Sequence, residues 1–196
     1  MNGMILASGS PRRRELLAGL GWNFTIVPSL IDEKEAAGES PDCLVRRLAD
    51  EKASDVAARF PGNWVLGADT VVAVDGRILG KPRGEAESAA MITELSGRTH
   101  SVFTGVALLA PDGRKLIRAE ETRVTFRPLS EADVAAYIAQ GESLDKAGAY
   151  AIQGKGMRFI RGIEGDFYTV MGLPAARLWH FAAEKGILPE GTEIFV

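Results

Sequence analysis

The chain has 196 residues, 46% of them hydrophobic, with a formal net charge of −3 at pH 7 and Cys43 as its one cysteine. The length predicts a single domain over residues 1–196, with two lobes around a cleft, while the acidic balance argues against a nucleic-acid partner and the lone cysteine excludes an internal disulfide. No apolar stretch reaches the ~18 residues of a membrane span and the N-terminus lacks a signal-peptide pattern, so we expect a cytoplasmic protein without a membrane partner.

The first elements of the chain predict an anion-binding site. Residues 4–7 predict a short strand, Ser8-Gly-Ser10 a tight loop, and residues 11–20 a helix that Ser10 caps. Three arginines lie in the first turn of this helix: Arg12, Arg13 and Arg14. They add positive charge where the helix dipole favours acids, so an anionic ligand such as phosphate would compensate them. The alternative is a solvated basic turn.

A lysine on an apolar helix face is the next candidate. Residues 24–30 predict the second strand, which places Asp32 and Glu33 at its end, and a helix follows with Ser40 as its N-cap. Helical spacing puts Lys52 on the apolar stripe of that helix, with Leu44, Leu48 and Val56. Two interpretations stay open: the lysine snorkels from the edge of the stripe, or its ammonium reaches a pocket that holds a carboxylate or a bound anion.

The most informative residue is Asp69, a single carboxylate in an apolar run over residues 64–74. The run predicts a strand buried on both faces, where an unpaired carboxylate costs on the order of several kcal/mol. Asp69 therefore needs cations, hydrogen-bond donors or a metal nearby, unless it is a strand-end residue that only accepts backbone hydrogen bonds. A hairpin with an Asp-Gly turn at residues 75–76 follows and delivers Lys81 at its exit.

The second half of the chain predicts further helices and an antiparallel part of the sheet. Helices are predicted over residues 85–95, 131–139 and 173–183, the second opened by a capping box. Strands are predicted over residues 102–109, 115–118 and 122–126. The fold class is therefore α/β, with a mixed, partly antiparallel central sheet flanked by helices. The glycine-rich stretch 148–156 is the candidate for a loop on the rim of the cleft.

The histidines and tryptophans are expected to serve structure rather than catalysis. We expect His100 to order a turn by hydrogen bonding and His180 to lie on the surface or contact a partner. The tryptophans are expected to pack in the interior: Trp22, Trp64 and Trp179.

Seven motifs, in this order along the chain, resemble the motif set of the Maf family of nucleoside triphosphate pyrophosphatases. They are Ser8-Gly-Ser-Pro-Arg-Arg13, Asp32-Glu33, Glu51-Lys52-Ala53, Gly67-Ala-Asp-Thr70, Gly80-Lys-Pro82, Ser96-Gly-Arg-Thr-His-Ser-Val-Phe-Thr-Gly105 and Asp145-Lys-Ala-Gly-Ala-Tyr-Ala-Ile-Gln-Gly154. The resemblance covers residues 4–174 and implies a Maf/ITPase-like fold. The Ser-Pro-Arg-Arg, Ala-Asp-Thr and Ala-Ile-Gln-Gly versions resemble the branch of the family that acts on dTTP and UTP.

The resemblance implies an enzyme that cuts a nucleoside triphosphate between its α- and β-phosphates and releases a nucleoside monophosphate and pyrophosphate. Such an enzyme would keep noncanonical nucleotides out of nucleic acid, with a link to arrest of cell division, and the family suggests a homodimer. Asp69 is implied as the proton acceptor that activates water. The positions implied to tune nucleotide choice are Arg12, Thr70 and Gln153. The other implied pocket residues are Glu33, Lys52 and Lys81.

The chemistry of these residues agrees with those roles. A triphosphate carries about four negative charges, which cations must neutralise during cleavage. Glu33 and Asp69 could hold Mg²⁺ or Mn²⁺, and Gln153 offers a donor and an acceptor to the imide edge of thymine or uracil. The residues expected to bind the phosphates are Ser8, Ser10, Arg12, Arg13, Lys52 and Lys81. The sequence leaves open whether Asp69 accepts the proton directly or only binds the metal. The alternative function is a nucleotide-binding regulator of cell division or septum formation without turnover.

Overall fold

A computed structural model describes residues 3–34, 36, 38–184 and 186 of the protein. Its strands are β1 (Met4–Leu6), β2 (Phe24–Ile26), β3 (Trp64–Val74), β4 (Arg77–Leu79), β5 (Thr99–Leu109), β6 (Lys115–Phe126) and β7 (Ile160–Glu164). Its α-helices are α1 (Pro11–Gly19), α2 (Pro41–Arg59), α3 (Glu85–Leu95), α4 (Glu131–Ile138), α5 (Phe167–Met171) and α6 (Ala175–Glu184). Two short 3₁₀ turns, Ala147–Ala149 and Lys155–Phe159, lie between α4 and β7.

The strands form one mixed sheet, which confirms the predicted fold class. Their order is β2-β1-β3-β5-β6-β7, and β4 pairs with β3 beside this path. β1 is parallel to both β2 and β3, whereas the remaining pairs are antiparallel. The parallel part is therefore confined to the N-terminal edge of the sheet, where the predicted anion-binding loop leaves β1.

Several elements differ in extent from the prediction. β2 ends at Ile26, so Asp32 and Glu33 lie well into the following loop and not at a strand end. The segments 115–118 and 122–126 belong to one strand, β6, because it pairs with β5 without interruption over residues 115–125. The sequence predicts neither β7 nor α5, since β7 is largely exposed and shows no apolar alternation, and α5 is only a short turn of helix.

Helices α2 and α4 begin at the residues that their capping signals predict. The Ser40 hydroxyl accepts a hydrogen bond from the Cys43 N–H at 3.3 Å, and Ser130 and Asp133 form the predicted capping box of α4. Ser10 occupies the N-cap position of α1, but its hydroxyl makes no capping hydrogen bond, so this part of the prediction is wrong. Without that bond, the first turn of α1 lacks a side-chain acceptor from its own cap.

Asp69 lies where one edge of β3 has no neighbouring strand. β1 pairs with residues 64–66 of β3 and β4 pairs with residues 72–74. Within the described part of the chain, the stretch between them is therefore paired only on its β5 side. The loop that follows β1 and the exit of β4 flank this gap. The topology thus places the predicted phosphate loop and Lys81 on either side of the acid.

Helix α2 lies very close to the sheet because two glycines form the surface beneath it. A Cβ atom at Gly67 or Gly105 would lie 2.2 Å and 2.1 Å, respectively, from a backbone carbonyl oxygen of α2. Gly105 is also the direct cross-strand neighbour of Asp69. Only glycine permits backbone to approach backbone this closely. The short separation lets a lysine on α2 reach Asp69.

Helices cover both faces of the sheet. α2 covers one face, while α1 and α6 cover one end of the other face and α3 and α4 cover its other end. Trp22 and Trp64 are buried, and Trp179 packs on Trp22 with ring centroids 6.0 Å apart, so the predicted packing role of the tryptophans is confirmed. No helix in the described ranges is long and apolar enough to cross a membrane.

Substitution of the glycine opposite Asp69 tests the close approach. We expect Gly105→Ala to lower the free energy of unfolding by about 2 kcal/mol or more, because the new methyl group forces α2 away from β5. Urea denaturation measures this loss. Gly162→Ala is the matched control, since Gly162 is also a strand glycine but has nothing within 4 Å of its Cβ position. Equal effects of the two substitutions would contradict the role given to Gly105.

Candidate active site

A cleft of about 610 Å³ opens beside the unpaired edge of β3. This volume lies in the range that small-molecule ligands occupy. Its walls come from the β1–α1 loop, α2, β3, the exit of β4, the segment 145–152 and the end of α5. The polar and charged residues that line it are Ser8, Ser10, Arg12, Arg13, Ser29, Glu33, Lys52, Asp69, Thr70, Lys81, Asp145, Lys146 and Tyr150. The structure therefore brings together every predicted site residue except Gln153.

A buried ion pair lies at the centre of the cleft. Lys52 of α2 and Asp69 of β3 are each only 6% exposed. The Lys52 ammonium donates a hydrogen bond to Asp69 Oδ1 at 2.7 Å and lies 2.9 Å from Glu33 Oε1. The interpretation that Lys52 snorkels to solvent is therefore wrong, and the pocket interpretation is confirmed. Asp69 therefore has the neighbouring cation that its apolar surroundings lead us to expect.

The two carboxylates that converge on Lys52 are suited to a divalent cation. Glu33 is half exposed, and its carboxylate approaches the same ammonium as that of Asp69. Among the described residues, no three His, Cys, Asp or Glu side chains gather at one point. Mg²⁺ commonly takes one or two protein carboxylates and completes its shell with phosphate oxygens and water. The donor set of Glu33 and Asp69 fits that pattern.

Arg13 joins three separate parts of the chain at the cleft wall. Its guanidinium donates to the Gly172 carbonyl at 2.7 Å, to Thr70 Oγ1 at 3.0 Å and to Ser8 Oγ at 3.2 Å. Burial lowers the pKa of Arg13, but a guanidinium remains charged in proteins. Thr70 is further hydrogen-bonded to Thr104 at 2.9 Å. Arg13 is thus a fixed positive charge rather than a solvated basic turn.

The other predicted phosphate ligands are less constrained than Arg13. Ser10 and Arg12 line the cleft from the start of α1, and both are partly exposed. Lys81 lines it from the exit of the β3–β4 hairpin and is exposed. These side chains are free to follow a bound anion, in contrast to the constrained guanidinium of Arg13.

Asp145 and Lys146 also line the cleft. Both belong to the last of the seven motifs, but the sequence predicts no role for either residue. The Lys146 ammonium is paired with the Asp145 carboxylate, and the side chains are 12% and 70% exposed. Burial opposes ionisation of Asp145, yet the hydrogen bond from Lys146 and the charges of Lys146 and Arg12 hold its pKa below the usual value. An adjacent acid and base in a loop are typical of a solvated turn, so only their motif could have indicated them.

The segment before Gln153 forms the rim of the cleft, as the glycine pattern predicts. Gly148 has φ +65°, and its N–H donates to the Gly80 carbonyl at 3.1 Å. Tyr150 and Ile152 line the cleft beyond it. Gln153 itself is exposed and borders a separate shallow depression with Gln140 and Glu142. Its part in nucleotide choice therefore stays a prediction.

His100 contacts the rim of the cleft through Tyr150. It lies within β5 and not in a turn, which corrects the expected position, and its Nε2 is 2.8 Å from Tyr150 Oη. The imidazole is 2% exposed and makes an edge contact with the Phe126 ring at 4.9 Å. Burial lowers the pKa of His100 to about 4. The ring is therefore neutral at pH 7 and serves packing, and His180 is exposed on α6 as predicted.

The pKa of His100 predicts a loss of stability in weak acid. Its unfolded value is near 6.5, so between about pH 6.5 and pH 4 the unfolded chain binds the extra proton. The free energy of unfolding should fall as pH drops through this window, by up to about 3 kcal/mol from this group. Denaturation curves at several pH values measure the fall. His100→Gln should flatten it, and an unchanged slope would contradict the assignment.

The buried ion pair predicts strong coupling between its partners. We expect Lys52→Met to reduce the free energy of unfolding by about 3 kcal/mol, because it leaves the Asp69 carboxylate buried without a cation. The double variant with Asp69→Asn should recover much of that loss, since no charge then lacks its partner. Urea denaturation of the two single variants and the double variant gives the coupling. Simple addition of the two single effects would show that the pair does not act as a unit.

Known proteins are similar to this chain in sequence or in fold. The dTTP/UTP pyrophosphatase of Myxococcus xanthus is 55% identical over 87% of this chain and 86% of its own length. The dTTP/UTP pyrophosphatase of Moorella thermoacetica is 50% identical over 95% of this chain and 97% of its own. A HAM1 protein from Coxiella burnetii aligns with a TM-score of 0.50 at 16% identity, over 94% of this chain and 100% of that one, and shares the fold alone. Residues 3–185 match the family described as Maf-like protein, and the chain belongs to that family.

Proposed function

We propose that this protein hydrolyses dTTP and UTP between the α- and β-phosphates, yielding the nucleoside monophosphate and pyrophosphate. The observation that carries the proposal is the Asp69 carboxylate held 2.7 Å from the Lys52 ammonium, within a cleft that four further cations line. These cations are Arg12, Arg13, Lys81 and Lys146. The relatives named dTTP/UTP pyrophosphatase, at about half identity over nearly the whole chain, support the choice of nucleotides.

The reaction needs a base beside the α-phosphorus. A water oxygen attacks that phosphorus, its proton passes to the Asp69 carboxylate, and the bond from the α-phosphorus to the bridging oxygen breaks so that pyrophosphate leaves. Lys52 fixes the orientation of Asp69 through its short hydrogen bond. A Mg²⁺ or Mn²⁺ ion held by Glu33 and Asp69 would supply further neutralisation of the phosphate charge.

The cleft supplies the charge that a polyphosphate leaving group requires. Pyrophosphate gains negative charge as the bond breaks, and preorganised cations that line the cleft stabilise that charge. Arg13 is already fixed by three hydrogen bonds, so its charge needs no reorganisation during the reaction. Lys81 and Lys146 lie on two segments that the Gly148 to Gly80 hydrogen bond joins, and they act together on the leaving group. A cytoplasmic location and a homodimer stay predictions.

Product analysis tests the proposed reaction. With Mg²⁺ or Mn²⁺ we expect dTTP and UTP to yield monophosphate and pyrophosphate, purine triphosphates to react more slowly, and a chelator to abolish turnover. Asp69→Asn should lower kcat by about 100-fold or more, because an amide cannot accept the proton. Chromatography of the nucleotides and a pyrophosphate assay give both results.

The matched control is Asp75→Asn, which makes the same change in the β3–β4 turn, away from the cleft, at a φ of 49° that asparagine tolerates. It should keep full activity. Release of orthophosphate from dTTP would show cleavage at the γ-phosphate and contradict the proposal. Binding of dTTP without any product would favour the nucleotide-binding regulator instead.

A further inference from the structure

Glu33 depends on a loop that has no regular structure of its own. It lies between β2 and α2, where the described residues form neither helix nor strand. The Glu33 side chain is 46% exposed, and it is held by its contact with Lys52. A half-exposed side chain on an irregular segment loses considerable rotamer and backbone freedom when it is fixed in one place. Some other group must therefore hold the segment that carries it.

One guanidinium on the outer side of α2 contacts that segment at several points. Arg47 donates to the Lys34 carbonyl at 2.9 Å, directly beside Glu33 in the chain. It also donates to both carboxylate oxygens of Glu39, at 2.9 Å and 2.6 Å, and to Glu51 one turn further along α2. The hydrogen bonds that Arg47 donates to Glu39 and Glu51 raise the pKa of Arg47. The Arg47 guanidinium therefore connects α2 to the loop on the C-terminal side of Glu33.

A second set of contacts holds the loop on the N-terminal side of Glu33. Asp55 accepts a hydrogen bond from the Leu30 N–H at 3.0 Å, and Arg59 donates to the Pro28 carbonyl at 3.0 Å and to Asp55 at 2.8 Å. The Ile31 side chain packs against the apolar cluster beneath α2. Glu33 thus lies between two anchored stretches of backbone, and α2 supplies the anchors of both.

We propose that Arg47 is a positioning residue for the cleft. Through its hydrogen bonds to the Lys34 carbonyl and to Glu39, Arg47 holds Glu33 against Lys52. The proposal rests on the function given above, in which Glu33 serves the nucleotide and its cation. Arg47 itself is absent from the residues that line the cleft in the described structure, so its effect must pass through the loop. Groups that orient a ligand-binding side chain in this way change affinity or activity by about 10- to 100-fold when removed.

A purely helical role for Arg47 accounts for little of this geometry. Its pair with Glu51 has the i,i+4 spacing, and such surface pairs contribute only slightly to helix stability. Most of its hydrogen bonds go instead to the loop. Arg46, the preceding residue, provides the comparison, because it pairs with Asp42 on its own helix at 2.9 Å.

A double-variant cycle with Glu33 tests the proposal. In the wild-type background, Arg47→Met should lower kcat/KM for dTTP with Mg²⁺ by about 10-fold or more, whereas Arg46→Met should stay within about twofold. In the Glu33→Gln background, Arg47→Met should change kcat/KM by less than about twofold, because the group that it positions is already lost. An equal loss in both backgrounds would overturn the proposal, as would an equal loss for Arg46→Met.

Amide hydrogen exchange decides the same point without any substrate. Arg47→Met should speed exchange at two loop amides relative to Arg46→Met, while the amides of β3 keep their protection. They are the Ala36 amide, which donates to Glu39 Oε2 at 3.4 Å, and the Glu39 amide, which donates to the Ala36 carbonyl at 3.1 Å. Unchanged exchange at both amides would overturn the proposal whatever the activity. If the wild-type protein releases no pyrophosphate from dTTP but the exchange result holds, the proposed function fails while the anchoring by Arg47 stands, and the cycle is then measured on binding of a non-hydrolysable dTTP analogue.

Discussion

The contact between the Lys52 ammonium and the Asp69 carboxylate is the constraint on which the rest of the structure depends. Each charge is almost fully buried, and either alone would be expensive in that environment. Together they require α2 to lie close against β3 and β5, which in turn requires glycine at positions 67 and 105. Asp69 lies in the stretch of β3 between its pairings with β1 and β4, and this stretch borders the cleft. The packing of α2, the pairing of β3 and the chemistry of the cleft thus all involve the hydrogen bond between Lys52 and Asp69.

The surroundings of this pair divide into rigid and adaptable charges. Arg13 is tied to Ser8, Thr70 and Gly172, so it cannot turn away when the cleft is empty. Lys81 is exposed and Arg12 is partly exposed, so both side chains can adjust to a nucleotide. A site with one fixed set and one adaptable set lowers the reorganisation needed in the reaction while still admitting and releasing a highly charged ligand.

Much of this arrangement could be predicted from the sequence because the signals are local. An isolated acid in an apolar run, a lysine at helical spacing and a Ser-Gly-Ser loop before a proline each report their own environment. The motif resemblance adds Thr70, and nine of the ten predicted site residues line the cleft. Two expectations are wrong: the Ser10 hydroxyl makes no capping hydrogen bond, and His100 lies in a strand. Gln153 lies outside the cleft, and its part in nucleotide choice stays a prediction. The path of the Glu33 loop depends on Arg47, which a helical pattern shows only as a surface charge.

The bond from Arg13 to the Gly172 carbonyl joins residues 159 positions apart. β1 likewise pairs with a strand about 60 residues later, and the rim segment comes from the last third of the chain. During synthesis the ribosome therefore releases the β1–α1 loop long before the other segments that complete the wall of the cleft. Contacts of such long range form slowly and together, and a nascent or truncated chain has no finished cleft. The cleft is therefore a property of the assembled fold and not of any one of its segments.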